Sequence, residues 1–246
     1  MADMQVAVEV DSAGVARVAA ERIAGALRSA VASRRAGCLA LSGGNTPRAT
    51  YTLLGGRTDV DWSLVDVFWV DERAVPPDHD RSNYRAAKVT LLDPARVPAG
   101  RVHRMPAEQA DLARAAAEYA ALVASKVPRG ASGAPAFDAM VLGMGDDGHT
   151  ASLFPGEATV HVTDRWVAEV AAASSREARL TLTTPVIQAA TAALVIVEGK
   201  DKRAPLQRAW AAAGDTRETP IRIVRASHGA VTWIADRAAA EGLSPS

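Results

Sequence analysis

The chain has 246 residues, of which 48% are hydrophobic and 23% are charged, as is ordinary for a globular protein with a sizeable core. Its 28 basic and 28 acidic residues cancel, so no broad electrostatic field favours nucleic acid or an anionic membrane surface as a partner. A single cysteine, Cys38, excludes an intrachain disulfide and argues against a cysteine-rich metal site.

The N-terminal residues do not form a basic-then-apolar leader, and no uninterrupted apolar run approaches the length of a membrane span. We therefore expect a cytoplasmic protein with no membrane partner. No internal repeat or sharp compositional boundary divides the chain, so we expect one domain over residues 1–246. The sequence does not fix the oligomeric state beyond a monomer or a small homo-oligomer.

The first part of the chain alternates between strand and helix patterns. Residues 6–10 alternate as an edge strand does, and the next residues place apolar side chains at helical spacing. Residues 38–41 are a short apolar run that predicts a buried strand. It leads into SGGNTPRATY, residues 42–51, which predicts a glycine loop opening a helix, with Thr46 as N-cap and Pro47 as the first helical residue.

A second buried strand is predicted at residues 65–70, and it runs directly into the charged residues 71–73. The proline-rich segment that follows is long for a compact domain, which favours a functional loop. After it we expect helices over residues 83–92 and 108–126.

The stretch FDAMVLGMGDDGHTASLFPG, residues 137–156, concentrates the candidate chemistry. An apolar run at 139–142 predicts a strand that ends in a loop carrying two carboxylates and a histidine. Gly143, Gly145 and Gly148 allow positive φ and let the backbone approach a ligand closely. We expect a strand, a site loop and then the start of a helix.

The last part of the chain continues the alternation. A charged loop, EGKDK at 198–202, separates one predicted strand from a helix that runs to residue 210. We expect strands at 166–171, 180–183, 194–197, 221–224 and 231–234, and further helices that begin at Pro185 and Asp236.

Strands alternating with helices predict an α/β fold with a doubly wound, mostly parallel sheet, helices on both faces and a small antiparallel extension. In such sheets a ligand binds beyond the carboxyl ends of the strands, where the strand order reverses. Predicted buried strands end in segments of unusual chemistry after Leu41, Val70, Leu142 and Val197. If these strands are parallel, the four segments lie on one edge of the sheet.

The glycine loop has the features of a phosphate site. Ser42, Gly43, Gly44, Asn45 and Thr46 offer backbone N–H groups ahead of a helix whose dipole adds positive potential. The loop lacks the lysine of an NTPase phosphate loop and the third glycine of a dinucleotide fingerprint, so it does not favour a nucleotide. A tight strand-to-helix turn without a ligand also fits the pattern.

Charged residues after two other strands are further candidates. Lys200 is placed to add a point charge to a bound phosphate, although a solvated surface lysine fits the pattern as well. Asp71 and Arg73 offer a carboxylate and a cation that can hold phosphate or stabilise an oxyanion. A surface ion-pair cluster that includes Glu72 is the alternative.

His149 is the candidate acid–base residue. An imidazole can accept and return a proton near neutral pH, and a neighbouring carboxylate fixes its tautomer. Asp147 is the nearest carboxylate, and a loop N–H near Gly145 is a candidate donor to a developing oxyanion. Asp146, Asp147 and His149 also form a thin candidate metal set, and an exposed loop without chemistry is a further alternative.

Together these segments resemble the glucosamine-6-phosphate isomerase/6-phosphogluconolactonase family, on its lactonase side. Each stretch is weak by itself, whereas their combination in one order between residues 39 and 202 is specific. The stretches are LALSGGNTPRATY, VFWVDERAVPPDHDRSNY, FDAMVLGMGDDGHTASLFPG, RLTLTTPVI and VEGKDK.

The resemblance implies hydrolysis of 6-phospho-D-glucono-1,5-lactone to 6-phospho-D-gluconate, the second step of the oxidative pentose phosphate pathway. It implies a small phosphosugar lactone as the partner, no nucleic acid, and neither a metal nor an organic cofactor. It implies catalytic roles for His149, Asp147 and Arg73. The residues that it implies for contacts to the substrate and its phosphate are Ser42, Gly43, Gly44, Asn45, Thr46, Asp71, Arg179 and Lys200.

Glucosamine-6-phosphate deaminases share the implied fold, the glycine loop and a DGH-like triplet. Their loop continues into an FNEP-type sequence with a glutamate five residues after the histidine, where this chain has Phe154. Arg73 stands where the deaminases have the tyrosine of a DEY sequence, which also argues against a deaminase. Asp71, in contrast, matches the deaminase proton shuttle. A deaminase and a non-catalytic sugar-phosphate effector domain are the alternatives, and no helix-turn-helix or basic arm supports the second.

Overall fold

The computed structural model describes residues 4–174 and 176–243 and divides their strands between two sheets. The strands, in chain order, are β1 (Met4–Glu9), β2 (Gly37–Leu41), β3 (Val65–Trp69), β4 (Asp71–Arg73), β5 (Ala139–Gly143), β6 (Val167–Val170), β7 (Arg179–Leu182), β8 (Ala192–Val197) and β9 (Ala230–Asp236).

The larger sheet has the order β1-β9-β8-β5-β2-β3, and every neighbouring pair in it is parallel. The smaller sheet has the order β4-β7-β6 and is antiparallel. The predicted doubly wound parallel sheet with a small antiparallel extension is therefore confirmed.

Helices connect the parallel strands, because a crossover between parallel strands must return the chain to the starting end of the sheet. No helix among residues 4–174 and 176–243 has the length and apolarity that a membrane crossing needs. A π-helical segment, Lys88–Leu92, extends the third helix. The α-helices are α1 (Ser12–Arg34), α2 (Arg48–Gly55), α3 (Asn83–Ala87), α4 (Leu112–Lys126), α5 (Thr184–Ala189), α6 (Arg203–Trp210) and α7 (Arg237–Ala240).

The central strands β2, β5 and β8 are apolar throughout because both faces of the parallel sheet are covered. β2 and β3 are buried at every position. α1 begins where the Asp11 side chain accepts a hydrogen bond from Gly14 N, and its apolar residues Val15, Ile23 and Leu27 are fully buried. The helix packs on β1, β9, β8, β5 and β2, and so joins the two halves of the large sheet.

The strand order reverses beside β2. The chain passes from β2 outward to β3, then returns to the other side of β2 as β5 and continues through β8 to β9. The segments that follow β2 and β5 therefore separate at their strand ends and leave a crevice, which is where such sheets bind ligands.

The prediction that four segments lie on one edge of the sheet is confirmed, because β2, β3, β5 and β8 are all parallel. One of the four is not a loop, as residues 71–73 form β4, which pairs with β7. Leu182 N donates to Val70 O, so the chain enters the small sheet directly from the large one.

The strand predicted at residues 221–224 is wrong. This segment lies in a 3₁₀ helix, Pro220–Ala226, although its apolar residues are buried as a strand's would be. The reason is Arg222, whose guanidinium donates to the carbonyls of Arg208, Ala209 and Ala211 at 2.8, 3.1 and 2.7 Å. Pro220 also lacks the N–H that a strand ladder needs.

Three predicted helix starts also differ from the structure. α2 begins at Arg48 with Pro47 at the N-cap and no side-chain cap, because Arg48 N donates to Asn45 O and closes a turn first. No helix follows the loop of residues 143–149, since Ala151 has φ 49° and the chain continues in turns to a 3₁₀ segment at Ala158–His161. The helix predicted from residue 108 starts later, at Leu112, after an Asp111 cap.

Candidate active site

A cavity of about 230 Å³ lies at the carboxyl edge of the large sheet, where the strand order reverses. Segments after β2 and β5, the strands β4 and β7, and the start of α3 and α6 all contribute to its wall. The residues that line it are Ser42, Gly43, Gly44, Thr46, Asp71, Arg73, Asn83, Gly143, Met144, Gly145, His149, Ala151, Arg179 and Lys202.

The glycine loop is held at its start and open at its tip. The buried Tyr51 hydroxyl donates to Ser42 O at 2.7 Å and accepts from Ser42 N at 3.0 Å. Burial raises the pKa of this Tyr51 phenol, so it stays protonated at neutral pH. In the described part of the chain, the N–H groups of residues 43–46 donate to no protein acceptor. They are therefore available to an anion.

Gly43 allows the loop to meet α3. A Cβ at this position would lie 1.8 Å from the Asn83 side-chain oxygen, so only glycine leaves room for that amide. Asn83 in turn donates to Asp71 O at 2.9 Å and lines the cavity. Asn83 was not among the predicted site residues, and the SNY sequence after the proline-rich segment was the signal available.

Strand geometry places the charged residues of the small sheet. Side chains alternate along a strand, so Asp71 and Arg73 of β4 share one face, and Arg179 of β7 is paired directly with Arg73. Glu72 points to the other face. The wall of the cavity therefore carries a carboxylate beside two guanidinium groups.

Asp71 is only 3% exposed and has donors on several sides. Its carboxylate accepts from Ser152 Oγ at 2.7 Å, and Arg179 Nη1 and Asn83 Nδ2 lie at 3.5 and 3.4 Å. Burial lowers the pKa of the Arg179 guanidinium, Asp71 opposes this shift, and nearby Arg73 adds to it. The two like charges side by side favour an anion in the cavity.

Glu72 fixes the other face of β4 to the start of α3. Its carboxylate accepts from the backbone N–H groups of Arg73, Asn83 and Tyr84, and from Ser82 Oγ. Burial raises the pKa of Glu72, while these backbone hydrogen bonds oppose the shift. Glu72 is therefore a buried structural carboxylate that holds Asn83 against the cavity, and the alternative of a surface ion-pair cluster does not hold at this residue.

His149 reaches the cavity through the loop that follows β5. Its Nδ1 lies 2.6 Å from Asp147 Oδ1, and its backbone N donates to the same oxygen at 3.0 Å. A carboxylate can only accept, so Nδ1 carries the proton and Nε2 of the neutral ring keeps its lone pair. The His149 side chain is 29% exposed.

The Asp147–His149 pair explains why Asp147 stays ionised. Burial alone would raise the pKa of Asp147, but the hydrogen bonds from the His149 ring and backbone outweigh it and lower the pKa to about 2. Gly145 N donates to His149 O at 2.9 Å, which closes the loop and leaves this N–H unavailable to an oxyanion.

The lysine in the cavity is Lys202, not Lys200. Lys200 is exposed and does not line the cavity, whereas Lys202 lies at the end of the 3₁₀ turn Lys200–Lys202 and pairs with Asp146. Asp146 is thus engaged with a cation, and no group of three or more metal-ligating side chains occurs among residues 4–174 and 176–243.

Asn45 faces a different space from the other loop residues. It lines a neighbouring cavity of about 250 Å³ together with Arg48 and Arg81. The two cavities share Gly44, Arg73 and Asn83. Asp147 does not line the main cavity and approaches it only through His149. The remaining predicted site residues meet in one place.

Comparison with known proteins agrees with this geometry. A family model described as glucosamine-6-phosphate isomerases/6-phosphogluconolactonase matches residues 10–233, which include every residue of the cavity wall. The chain belongs to this family. Members named 6-phosphogluconolactonase include a protein from Synechocystis sp., 38% identical over 89% of this chain and 90% of that protein. Another, from Rhizobium meliloti, is 42% identical over 85% and 88% of the two chains.

Solved structures of the glucosamine-6-phosphate isomerase/6-phosphogluconolactonase family share the whole fold. The 6-phosphogluconolactonase from Trypanosoma brucei aligns with a TM-score of 0.88 at 26% identity, over 99% of this chain and all of that chain. A monomeric glucosamine-6-phosphate deaminase aligns with a TM-score of 0.83 at 19% identity, over 96% and 99%. The second likeness shows the fold alone.

Proposed function

We propose that the chain is an enzyme that hydrolyses 6-phospho-D-glucono-1,5-lactone to 6-phospho-D-gluconate in the oxidative pentose phosphate pathway. The proposal rests on one observation above all: His149 Nε2, unbonded within the described residues, belongs to a ring that lines the same cavity as an anion-binding loop and three cations. Relatives of the same length named for this activity support it.

The phosphate end of the substrate is assigned to the glycine loop. Backbone N–H groups at Gly43, Gly44 and Thr46 line the cavity without a protein acceptor, and Lys202 adds a full positive charge. Lys202 also pairs with Asp146, and losing that ion pair to a phosphate dianion would cost little because the Asp146 side chain is exposed.

The reactive end is assigned to His149. Nε2 takes a proton from a water molecule while the oxygen of that water forms a bond to the lactone C1. Negative charge then develops on the carbonyl oxygen, and Arg73 is the donor proposed for it, with Arg179 beside it. As the bond from C1 to the ring oxygen breaks, the imidazolium returns the proton to that oxygen, and Asp147 stabilises the imidazolium in between.

The test uses lactone generated in situ and follows its loss against spontaneous opening. We expect the chain to accelerate this opening and to release no ammonia from glucosamine 6-phosphate. Ammonia release without lactone hydrolysis would overturn the proposal in favour of deamination. Tight binding of phosphosugars without turnover of either compound would overturn it in favour of an effector domain.

A matched pair of lysine variants tests the phosphate assignment. Lys202→Gln is expected to raise KM for the lactone by about tenfold or more, because a charge-assisted contact is lost. Lys200→Gln, two residues away and exposed, is expected to leave KM unchanged. The opposite pattern would return the phosphate contact to Lys200.

A further inference from the structure

The ring of Phe154 lies against the ring of His149. Their centroids are 4.6 Å apart and the ring planes are inclined at 41°. Phe154 is 8% exposed, and the guanidinium carbon of Arg176 lies 3.9 Å from its ring centroid. We infer that Phe154 and Arg176 are positioning residues, which hold the His149 imidazole so that Nε2 faces the cavity. This inference rests on the proposed role of His149 in lactone hydrolysis.

The hydrogen bond from Nδ1 to Asp147 does not fix the imidazole by itself. A single bond at Nδ1 leaves the ring free to tilt about that contact, and a tilt moves Nε2, the atom farthest from it. On the Nδ1 side the Gly145 backbone is close, since a Cβ there would lie 2.1 Å from Nδ1. The aromatic ring of Phe154 limits the remaining motion because it packs against the imidazole.

Arg176 holds Phe154 in turn. Its guanidinium pairs with Glu157 and its Nη2 lies 3.4 Å from Ala171 O, so the cation is fixed from two sides. A cation over an aromatic face is attracted by the ring quadrupole. The Arg179 guanidinium carbon is 5.5 Å from the same ring centroid, so both cations near Phe154 favour its present orientation.

The chain contains a matched control for this contact. Phe68 and His103 also have ring centroids 4.6 Å apart, inclined at 31°, and His103 Nε2 is bonded to Asp66 Oδ1 at 2.6 Å. Neither ring lines the active cavity. Removing the Phe68 ring therefore costs packing of the same kind without touching the proposed base.

The experiment compares Phe154→Leu with Phe68→Leu. We expect Phe154→Leu to lower kcat by about tenfold with KM within about twofold of wild type, because Nε2 is misplaced while the phosphate contacts are intact. Phe154→Tyr, which keeps the ring, is expected to restore most of kcat. Phe68→Leu is expected to lower the unfolding midpoint and to leave kcat unchanged.

Arg176 provides variants nearer the surface that do not empty the core. Arg176→Gln is expected to lower kcat by about two- to fivefold, and Arg176→Lys, which keeps the cation, is expected to lower it less. A fall in kcat for Phe68→Leu equal to that for Phe154→Leu would overturn the inference, because loss of packing anywhere would then suffice.

Ring-current shifts separate failure of this inference from failure of the proposed function. In NMR spectra, Phe154→Leu is expected to move the ring C–H resonances of His149 and not those of His103, and Phe68→Leu to do the reverse. This readout needs no turnover. Unchanged His149 resonances in Phe154→Leu would overturn the positioning role, whereas shifted resonances in a chain that hydrolyses no lactone would overturn only the function.

Discussion

His149 and His103 have similar immediate surroundings, but they lie at opposite ends of the strands of the large sheet. Each has a carboxylate oxygen 2.6 Å from a ring nitrogen and a phenylalanine ring at 4.6 Å. His149 follows the carboxyl end of β5, whereas His103 meets Asp66 near the amino end of β3. An aspartate, a histidine and a phenylalanine in contact are therefore not sufficient to make a site.

The difference lies in which nitrogen is bonded and what the other one meets. Asp147 accepts a hydrogen bond from Nδ1 of His149, so Nε2 faces a cavity that also holds guanidinium groups and the N–H groups of the glycine loop. Asp66 is bonded instead to Nε2 of His103, whose side chain is only 10% exposed. Arg101 Nη1 donates to the second oxygen of the same carboxylate at 2.7 Å. The first arrangement can exchange a proton with a ligand, while the second satisfies buried groups.

The largest expected effect separates the two histidines directly. His149→Ala should lower kcat for the lactone by about 10²–10⁴-fold, because general base catalysis is lost, with little change in stability. His103→Ala should leave kcat unchanged and lower the free energy of unfolding by about 2–4 kcal/mol, because a side chain that is only 10% exposed is removed and Asp66 loses a partner. Initial rates and urea unfolding measure both. Loss of activity in a folded His103→Ala would break the comparison.

A methyl group beside His149 should act through position alone. Gly145→Ala places a Cβ about 2 Å from the imidazole, so the ring must leave Asp147, and kcat should fall by about 10²-fold. Gly100→Ala, whose Cβ meets nothing within 4 Å, is the control and should match wild type. Wild-type kcat in Gly145→Ala would mean that the ring position seen here is not the working one.

The two carboxylates should differ in the same sense as their histidines. Asp147→Asn should lower kcat by about 10–10²-fold, because the tautomer and orientation of His149 are no longer fixed. Asp66→Asn should instead lower the free energy of unfolding by about 2–4 kcal/mol at unchanged kcat, since Arg101 and His103 lose a charged acceptor. Equal kcat losses in the two variants would contradict the assignment.

The smallest expected effect is on stability against pH. The pKa of Asp147 is lowered to about 2, below the usual carboxyl value of about 3.9, so its favourable contribution is present above pH 4 and is lost as pH falls toward 2. The side chain is half exposed, so the effect should be only a few tenths of a kcal/mol. The measurement is the difference in unfolding free energy between wild type and Asp147→Asn, determined at pH 6 and again at pH 3. A larger difference at pH 3 would reverse the sign and contradict the shift.

Much of the fold followed from sequence because the central strands are buried on both faces. Strands β2, β5 and β8 appear as uninterrupted apolar runs between polar loops, and the segments after β2, β3, β5 and β8 were correctly expected on one edge. The run at 221–224 is also mostly apolar, yet it is helical, and Arg222 within it donates to carbonyls near the end of α6. A pattern of local apolarity contains no information about that contact.

The placement of residues in the cavity could be predicted where a motif is local, and could not where it depends on tertiary contacts. His149 and Asp147 are two residues apart, so their pairing was visible in sequence. Lys202 was missed in favour of Lys200, because a 3₁₀ turn decides which lysine faces Asp146. The approach of Arg176 to Phe154 spans 22 residues that include β6, and it left no pattern to detect.

The alternation along β4 limits how the cavity wall can change over evolution. Arg73 and Arg179 are paired on the face of the small sheet that lines the cavity, so a new substrate group can be accommodated by exchanging either arginine while the ladder stays in register. Deleting a single residue ahead of Arg73 would instead turn Glu72 toward the substrate and pull the start of α3 with it. A library confined to positions 73 and 179 should therefore yield folded variants far more often than one at 72 and 180.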